Sequence, residues 1–360
     1  MKTDVRADPR SIDAAWMTEA LEESGTARGA TVSSVVFDGF VGTGQMSRNA
    51  RLLLMWDGQA DGRPTSLIGK FPSDDATARG SAVDAGLYYH EYAFYRELAP
   101  TVDVRTPACH VARYDEDDGG FVLLLEDMVG SEQGNQLTGC SVDEVQLGIE
   151  QAVGLHAPRW GDPTLSGLAA LAPTDAGRAE LLDTYYGATY TPGLDRLGSR
   201  LDDDVVDLVR RFAPLVARWS AGTGTPQTIV HNDFRPDNFL FGRTPEAPPL
   251  VVVDWQTTTR GLGLADVAYL IGGAFDPKER ATGERDLVED YRQRINARGI
   301  PYSSDDCWRD YRWAALWGII IAVAATMMAE QTERGDAMLT QMIARHARHA
   351  LDLDALSILR

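Results

Sequence analysis

The order of the periodicities along the chain constrains the fold most. After Gly29 the sequence consists of short runs rich in β-branched and aromatic residues, separated by glycines or charge clusters, whereas from Ser141 onward apolar residues recur at helical spacing. A group of strands followed by a group of helices is typical of α+β proteins. We therefore predict an α+β fold with a β-rich N-terminal lobe, residues 1–128, and a mostly helical C-terminal lobe, residues 129–360.

The first lobe is predicted to contain one five-stranded antiparallel sheet. The predicted strands are residues 33–40, 49–56, 65–71, 108–114 and 120–126. An amphipathic helix is predicted before the sheet, at residues 11–24, and one helix is predicted after the third strand, at residues 82–98.

The second lobe is predicted to be helical around a short irregular island. The predicted helices are residues 142–156, 176–186, 203–219, 264–272, 285–297, 305–330 and 335–358. The island comprises residues 228–241 and 250–254, interrupted by the turn TPEAPP. Residues 313–329 form an uncharged stretch close to the minimum length of a membrane span. Because charged helical sequence flanks both of its ends, we interpret it as a buried helix.

Composition and cysteine usage limit the classes of partner and compartment. The chain has 34 Lys and Arg against 53 Asp and Glu, a formal charge of −19 that repels nucleic acid and anionic lipid. Cys109, Cys140 and Cys307 lack metal-ligand spacing and are odd in number, so neither a zinc site nor a disulfide framework is indicated. The N-terminus has no apolar segment of secretory type. We expect a cytoplasmic protein that binds no nucleic acid and does not insert into membranes.

The island carries polar residues suited to phosphoryl transfer. The segment IVHNDFRPDNFLF contains His231, Asp233 and Asn238 in the pattern H-x-D-x4-N, and the next strand ends VVVDW at Asp254. Phosphoryl transfer from ATP requires a hydrogen-bond acceptor that orients the substrate hydroxyl, and oxygen ligands that bind Mg²⁺. A single Asp or Asn in a turn more often stabilises the turn. The combination of this spacing with a following apolar strand that ends in Asp favours phosphoryl transfer.

On these motifs the chain resembles the kinase-like phosphotransferases that include aminoglycoside phosphotransferases, choline kinases and the ecdysteroid-kinase-like (CHK kinase-like) enzymes. The resemblance covers roughly residues 35–275. It implies a two-lobed protein-kinase-like fold that uses ATP and Mg²⁺. It also implies that Asp233 is the catalytic base, and that Asn238 and Asp254 are the metal ligands.

Two further residues of this loop are candidates for the catalytic group. By the same resemblance, His231 braces the loop. Arg235 lies two residues after Asp233, where a cation could reach the transferring phosphate or pair with Asp237 or another nearby acid. Asp266, in GLGLADVAYLI, resembles the acidic residue that holds the catalytic loop from the start of a helix, and we favour a structural role for it.

The first lobe supplies candidates for nucleotide binding. Lys70, in SLIGKFP, and Glu91, in HEYAFYREL, map onto the Lys–Glu ion pair of the family, with Glu97 as a weaker alternative to Glu91. The sequence GFVGTGQMSRNAR resembles the GTGQM loop of the ecdysteroid-kinase-like group. It offers candidates for a phosphate loop: Gly42, Gly44, Gln45 and Met46. Backbone groups from Glu126 to Met128, at the end of FVLLLEDM, are expected to bind adenine.

The motifs favour a small-molecule acceptor over a protein acceptor. Asn232 stands where protein kinases have Arg before the catalytic Asp, DWQ replaces D-F-G, and about nine residues separate Asp254 from the next predicted helix. A protein-kinase activation segment has no room there. We predict transfer of the γ-phosphate of ATP to a hydroxyl of an aminoglycoside-like compound, an amino alcohol or a hydroxylated steroid or lipid.

Several alternatives remain open at this point. The main one is an inactive kinase-fold protein that binds a nucleotide or a partner. Use of GTP and transfer to a protein side chain are also possible, and the sequence does not specify the oligomeric state.

Overall fold

A computed structural model describes residues 4–42, 44, 46–171, 176–222, 226–328 and 331–359. Its N-terminal part contains a five-stranded antiparallel sheet with the strand order β1-β2-β3-β5-β4. The strands are β1 Val32–Val41, β2 Ser47–Trp56, β3 Ser66–Pro72, β4 Cys109–Tyr114 and β5 Phe121–Glu126. The predicted α+β fold with this five-stranded sheet is confirmed. The prediction was possible because alternating apolar residues indicate strands that have one buried face.

One face of the sheet is covered by helix α1, Ala14–Glu23. The side chain of Asp13 caps this helix by accepting a hydrogen bond from the N–H of Trp16 at 2.8 Å. Trp16 and Leu21 are buried against strand residues that include Leu52. The opposite face of the sheet carries the side chain of Lys70 and is turned toward the candidate active site described below.

The segment after β3 is more irregular than one helix. It forms α2, Ala76–Asp84, and α3, Leu87–Ala93, and α3 continues as a π-helix over Phe94–Leu98. Gly86 separates α2 from α3 because it adopts φ +69°, a conformation that interrupts a right-handed helix. The predicted single helix at residues 82–98 is thus divided, and its second half carries Glu91.

The C-terminal part is helical. Its helices are α4 Val142–His156, α5 Ala176–Leu197, α6 Asp203–Phe212, α7 Val216–Ala221, α8 Leu264–Ala274, α9 Pro277–Ala297, α10 Ser304–Ala314, α11 Trp317–Met328 and α12 Glu333–Asp352. The helix predicted at 203–219 is divided by a 3-10 turn at Ala213–Leu215, and the helix predicted at 305–330 is divided after Ala314. Helical periodicity continues across both breaks, so the apolar pattern alone does not reveal them.

The island forms two small sheets. In the first, β6 Ser131–Gln133 pairs with β8 Phe239–Gly242, which pairs with β9 Leu250–Val252. In the second, β7 Thr228–Val230 pairs with β10 Thr259–Gly261. The short strand β6 was not predicted. These strands fix the two loops that carry the H-x-D-x4-N motif and Asp254.

The apolar stretch at residues 313–329 contributes the end of α10 and the whole of α11. Ile319, Ile320 and Val323 are buried in the core of the helical part, whereas residue 329 lies outside the described residues. In the part of the chain that the structure describes, none of the helices is long and apolar enough to cross a membrane.

Candidate active site

A cluster of three charged residues, of which Lys70 and Glu91 are buried, joins the sheet to the helical part. The Nζ atom of Lys70, on β3, lies 2.6 Å from Oε2 of Glu91, on α3, and 2.7 Å from Oδ1 of Asp254, which follows β9. Asp254 has φ +69°, a conformation that non-glycine residues rarely adopt. The structure therefore brings together three residues that lie far apart in sequence and that the motifs selected as candidates.

The charges of this cluster perturb one another. Burial of Lys70 acts to lower its pKa. The nearby carboxylates of Asp254 and Glu91 have the larger combined effect, so the pKa of Lys70 is raised. Burial raises the pKa of Asp254, but the charge of Lys70 outweighs it and the pKa is lowered. For Glu91 burial dominates, and its pKa is raised. Lys70 therefore remains a cation at neutral pH.

The loop between β7 and β8 carries Asp233 beside Asn238 and Arg235. The amide nitrogen Nδ2 of Asn238 donates hydrogen bonds to Oδ2 of Asp233 at 2.8 Å and to its main-chain oxygen at 2.7 Å. The Nε atom of Arg235 lies 2.9 Å from Oδ1 of Asp233, and Nη1 lies 2.9 Å from Oδ2 of Asp237. Burial lowers the pKa of Arg235, but the carboxylate of Asp233 outweighs it and the pKa is raised. Arg235 thus contacts the candidate base itself.

A backbone hydrogen bond places the two candidate metal ligands at the same end of the site. The N–H of Val253 donates to the main-chain oxygen of Asn238 at 3.0 Å. Asp254 is the next residue after Val253, so its side chain starts one residue away from this bond. Asn238 and Asp254 are therefore close neighbours although they lie on separate loops.

Two buried residues hold the loop that carries Asp233. The carboxylate of Asp266, at the start of α8, accepts hydrogen bonds from the N–H groups of His231 at 2.7 Å and Asn232 at 2.8 Å. The Nε2 atom of His231 bonds to the main-chain oxygen of Val253 at 3.0 Å, and Nδ1 accepts from the N–H of Asp233 at 3.3 Å. Both side chains are inaccessible to solvent. These buried contacts hold the main chain of the loop in place, so Asp266 and His231 have a structural role here.

An aromatic stack connects this loop to α3. Trp255, which follows Asp254, stacks on Phe94 with ring centroids 3.8 Å apart and an interplanar angle of 4°. The ring of His231 lies 4.7 Å from Trp255. The π-helical residue Phe94 is three positions after Glu91, so the stack fixes the helix that supplies Glu91 to the loop that supplies Asp254.

The candidate phosphate loop is only partly described. Gly42 adopts φ +76°. A Cβ atom at Gly44 would lie 2.9 Å from the main-chain oxygen of Ser47, so a side chain there would force the turn to move. Met46 is tied to α3 through its main-chain oxygen, which accepts a hydrogen bond from the hydroxyl of Tyr88. Gln45 lies outside the described residues.

The segment at the end of β5 uses its side chains for internal contacts. Oε2 of Glu126 accepts hydrogen bonds from Nη2 of Arg105 at 2.8 Å and from the N–H of Ala108 at 3.0 Å. Within the described residues, the N–H of Met128 donates no hydrogen bond to the protein. This segment therefore offers a main-chain donor for a base, while the carboxylate of Glu126 is already engaged.

An ion pair that the sequence analysis missed involves the middle residue of this segment. Arg51, on β2, makes two hydrogen bonds to Asp127, at 2.8 Å and 3.1 Å. In the register of β2 and β3, Arg51 lies opposite Ile68 and Asn49 lies opposite Lys70. Opposite residues and residues two apart along a strand point to the same face, so Arg51 and Lys70 share one face of the sheet. The charged Arg51, directly before the apolar run Leu52–Trp56, was the available signal.

The oxygen donors at this site are suitable for Mg²⁺. Asp254 offers carboxylate oxygens, and Asn238, whose amide nitrogen is engaged by Asp233, has its carbonyl oxygen left to bind a cation. Across the described ranges no group of three or more His, Cys, Asp or Glu residues could hold a metal by itself. A two-residue set of this kind fits a metal whose remaining ligands are water and substrate phosphates.

Comparisons with known proteins agree on the fold and the family. The family described as "Phosphotransferase enzyme family" matches residues 60–317. The solved structure of the GDP complex of wild-type aminoglycoside 2'-phosphotransferase-IIIa superposes with a TM-score of 0.52 at 16% identity, covering 92% of this chain and 99% of that chain. Choline kinase from Cryptosporidium parvum Iowa II superposes with a TM-score of 0.56 at 9% identity, covering 90% and 91%. Both share the kinase-like fold.

One curated protein matches over a short segment. Acyl-CoA dehydrogenase family member 11 of Gallus gallus is 43% identical over 58 residues, which are 15% of this chain. The matched segment spans only 7% of that protein's length.

Proposed function

Because the chain belongs to the phosphotransferase enzyme family and is a small-molecule kinase, we propose that it transfers the γ-phosphate of ATP to a hydroxyl group with the help of Mg²⁺. The observation that supports the proposal best is the contact of the buried Lys70 side chain with Glu91 and Asp254. It joins the sheet to a loop that lies beside Asp233 and Asn238.

In this proposal Asp233 is the catalytic base. Its carboxylate is partly exposed, with 21% of the side chain accessible, so a substrate hydroxyl can approach it. The carboxylate would accept the hydrogen bond of that hydroxyl and orient its oxygen toward the phosphate. Asn238 fixes the carboxylate through its amide, and Arg235 places a positive charge beside it. A cation in that position can also stabilise charge on the transferring phosphoryl group.

Lys70 is proposed to bind the phosphates of the nucleotide. Glu91 orients its ammonium group, and burial excludes competing water. Asn238 and Asp254 would hold Mg²⁺, which supplies charge neutralisation to the phosphates when bound. We further assign residues 1–128 to nucleotide binding, with the loop at Gly42, Gly44, Gln45 and Met46 over the phosphates and the main chain from Glu126 to Met128 beside the base. Residues 129–360 would supply the catalytic loop and the acceptor pocket.

The acceptor is proposed to be a hydroxylated small molecule. Relatives of similar fold are described as an aminoglycoside phosphotransferase and a choline kinase, so aminoglycosides and amino alcohols are the first candidates. A hydroxylated steroid or lipid is the next candidate. The inactive alternative is disfavoured because such a protein normally lacks the base, the phosphate-binding Lys or a metal ligand, whereas this chain has Asp233, Lys70, Asn238 and Asp254.

A screen of nucleotide consumption tests this function. The protein is incubated with ATP and MgCl₂, and in parallel with GTP, over panels of aminoglycosides, amino alcohols, hydroxysteroids and macrolides. We expect one class to stimulate ADP release in a Mg²⁺-dependent manner and to yield a phosphorylated product by mass spectrometry. If the protein binds ATP but none of the panels gives acceptor-dependent turnover, the inactive alternative is supported instead.

A further inference from the structure

The first residue of α11, Trp317, contacts the candidate catalytic loop. Its indole Nε1 donates a hydrogen bond to the main-chain oxygen of Asn232 at 3.0 Å. The side chain is 6% exposed, so this bond is shielded from water. The uncharged stretch at residues 313–329 therefore does more than fill the core, because it also reaches the residue that precedes Asp233.

The peptide group between Asn232 and Asp233 is held at both of its polar atoms. Its oxygen accepts from Trp317, and its N–H donates to Nδ1 of His231 at 3.3 Å. Because a peptide group is planar, fixing these two atoms fixes its orientation and therefore the position of the Asp233 Cα atom. Asn232 itself has φ +67°, a left-handed conformation that Asn adopts more readily than most other non-glycine residues.

Packing places Trp317 at this position. The turn between α10 and α11 allows the indole rings of Trp313 and Trp317 both to stack on Trp219, with centroid distances of 4.6 Å and 6.2 Å and interplanar angles of 16° and 18°. The next residue is Gly318, where a Cβ atom would collide with Nδ1 of His346 on α12. The start of α11 is thus confined between the tryptophan stack and α12.

We propose that Trp317 is a positioning residue for the catalytic base, acting through the main-chain oxygen of Asn232. This inference rests on the proposed role of Asp233. Loss of the indole N–H leaves the peptide before Asp233 held at one atom instead of two. The carboxylate then samples orientations that do not engage the acceptor hydroxyl, which slows the chemical step without weakening nucleotide binding.

Trp313 provides a matched control. It belongs to the same stack and is 8% exposed, but its Nε1 atom has no hydrogen-bond partner among the described residues. Substitution by Phe removes the same atoms at both positions, and only at Trp317 does it remove a bond to the loop. We expect Trp317→Phe to lower kcat about tenfold, the factor that corresponds to about 1.4 kcal/mol for one hydrogen bond, and to leave the KM for ATP within about twofold. Trp313→Phe should keep kcat within about twofold.

The measurement is steady-state turnover with the acceptor from the screen, or slow ATP hydrolysis with water as acceptor, together with the Tm of each variant. Equal kcat values for the two Phe variants would overturn the inference, as would a loss in Trp317→Phe that appears only in the KM for ATP. If Trp317→Phe does not fold, 3-benzothienylalanine at position 317 keeps the ring shape and removes the N–H, and the same fall in kcat is expected. Absence of turnover in the unmodified protein would overturn the proposed function and this inference with it.

Discussion

Replacement of Lys70 by Met is expected to destabilise the protein by leaving a buried carboxylate without its counter-ion. The side chains of Lys70 and Glu91 are 6% and 2% exposed and lie 2.6 Å apart. Met fills a similar volume but carries no charge. Glu91 would then be a buried charge with no cation beside it, whereas Asp254, with 29% of its side chain exposed, can be hydrated.

The expected size of this effect follows from the burial of the pair. Removing one partner of a buried ion pair typically costs about 3–5 kcal/mol of unfolding free energy, whereas an exposed pair contributes about 0–1 kcal/mol. Replacing both partners by apolar residues of similar volume is often close to neutral. We therefore expect Lys70→Met to cost at least about 3 kcal/mol, and Lys70→Met combined with Glu91→Leu to recover most of that loss.

Urea unfolding and nucleotide binding together separate the stability effect from the functional one. Unfolding free energies of the wild type, both single variants and the double variant complete a double-mutant cycle. ATP affinity is measured on the same samples. We expect the double variant to be stable but to bind ATP weakly, because it lacks the ammonium group that we propose binds the phosphates. The penalty of Lys70→Met should also shrink at acidic pH, since protonation of Glu91 removes the buried charge.

Two results would contradict the proposed role of the Lys70–Glu91 pair. A loss below about 1 kcal/mol for Lys70→Met would mean that the pair is hydrated like a surface salt bridge. Full ATP affinity in the stable double variant would mean that Lys70 does not contact the nucleotide.

Two further predictions concern the metal site and a buried histidine. Asp254→Asn should weaken ATP binding in the presence of Mg²⁺ by about tenfold or more while changing binding without Mg²⁺ much less, because it removes a charge from one of the two proposed metal ligands. Calorimetric titration with and without MgCl₂ measures both affinities, and an equal loss in the two titrations would contradict the assignment. Burial lowers the pKa of His346 to about 3, with His349, Arg345 and Arg280 nearby. As the pH falls, His346 is therefore protonated in the unfolded chain before it is protonated in the folded protein. Between pH 7 and pH 5 the unfolding free energy of the wild type should thus fall by about 2 kcal/mol more than that of His346→Leu. Parallel pH dependences of urea unfolding for the two proteins would show that His346 is protonated in the folded state.

The elements that local patterns specify were predictable from the sequence. The five strands of the sheet and α4, Val142–His156, lie close to their predicted positions, because alternation and helical periodicity are local properties. The spacing of Asp233 and Asn238, followed by an apolar strand ending in Asp254, was sufficient to select three residues that the structure places near one another. Short-range spacing therefore carried most of the information about the candidate site.

Features set by distant contacts were not predictable. The division after Ala314 depends on how Trp313 and Trp317 stack on Trp219, which lies almost a hundred positions earlier in the sequence. The pairing of Arg51 with Asp127 depends on the sheet register, which one strand does not reveal. Such features appear only when the topology brings separate segments together.

The role of Asp233 is tested most directly by comparing Asp233→Asn with Asp237→Asn. Both carboxylates lie on the same loop and both bind Arg235, so the two substitutions remove one negative charge each from the same local network. We measure acceptor-dependent phosphoryl transfer and ATP affinity for both. If Asp233 is the catalytic base, Asp233→Asn lowers kcat by about a thousandfold or more with ATP affinity nearly unchanged, whereas Asp237→Asn keeps kcat within about tenfold. Substantial turnover in Asp233→Asn, or equal losses in the two variants, would contradict the assignment of Asp233 as the catalytic base.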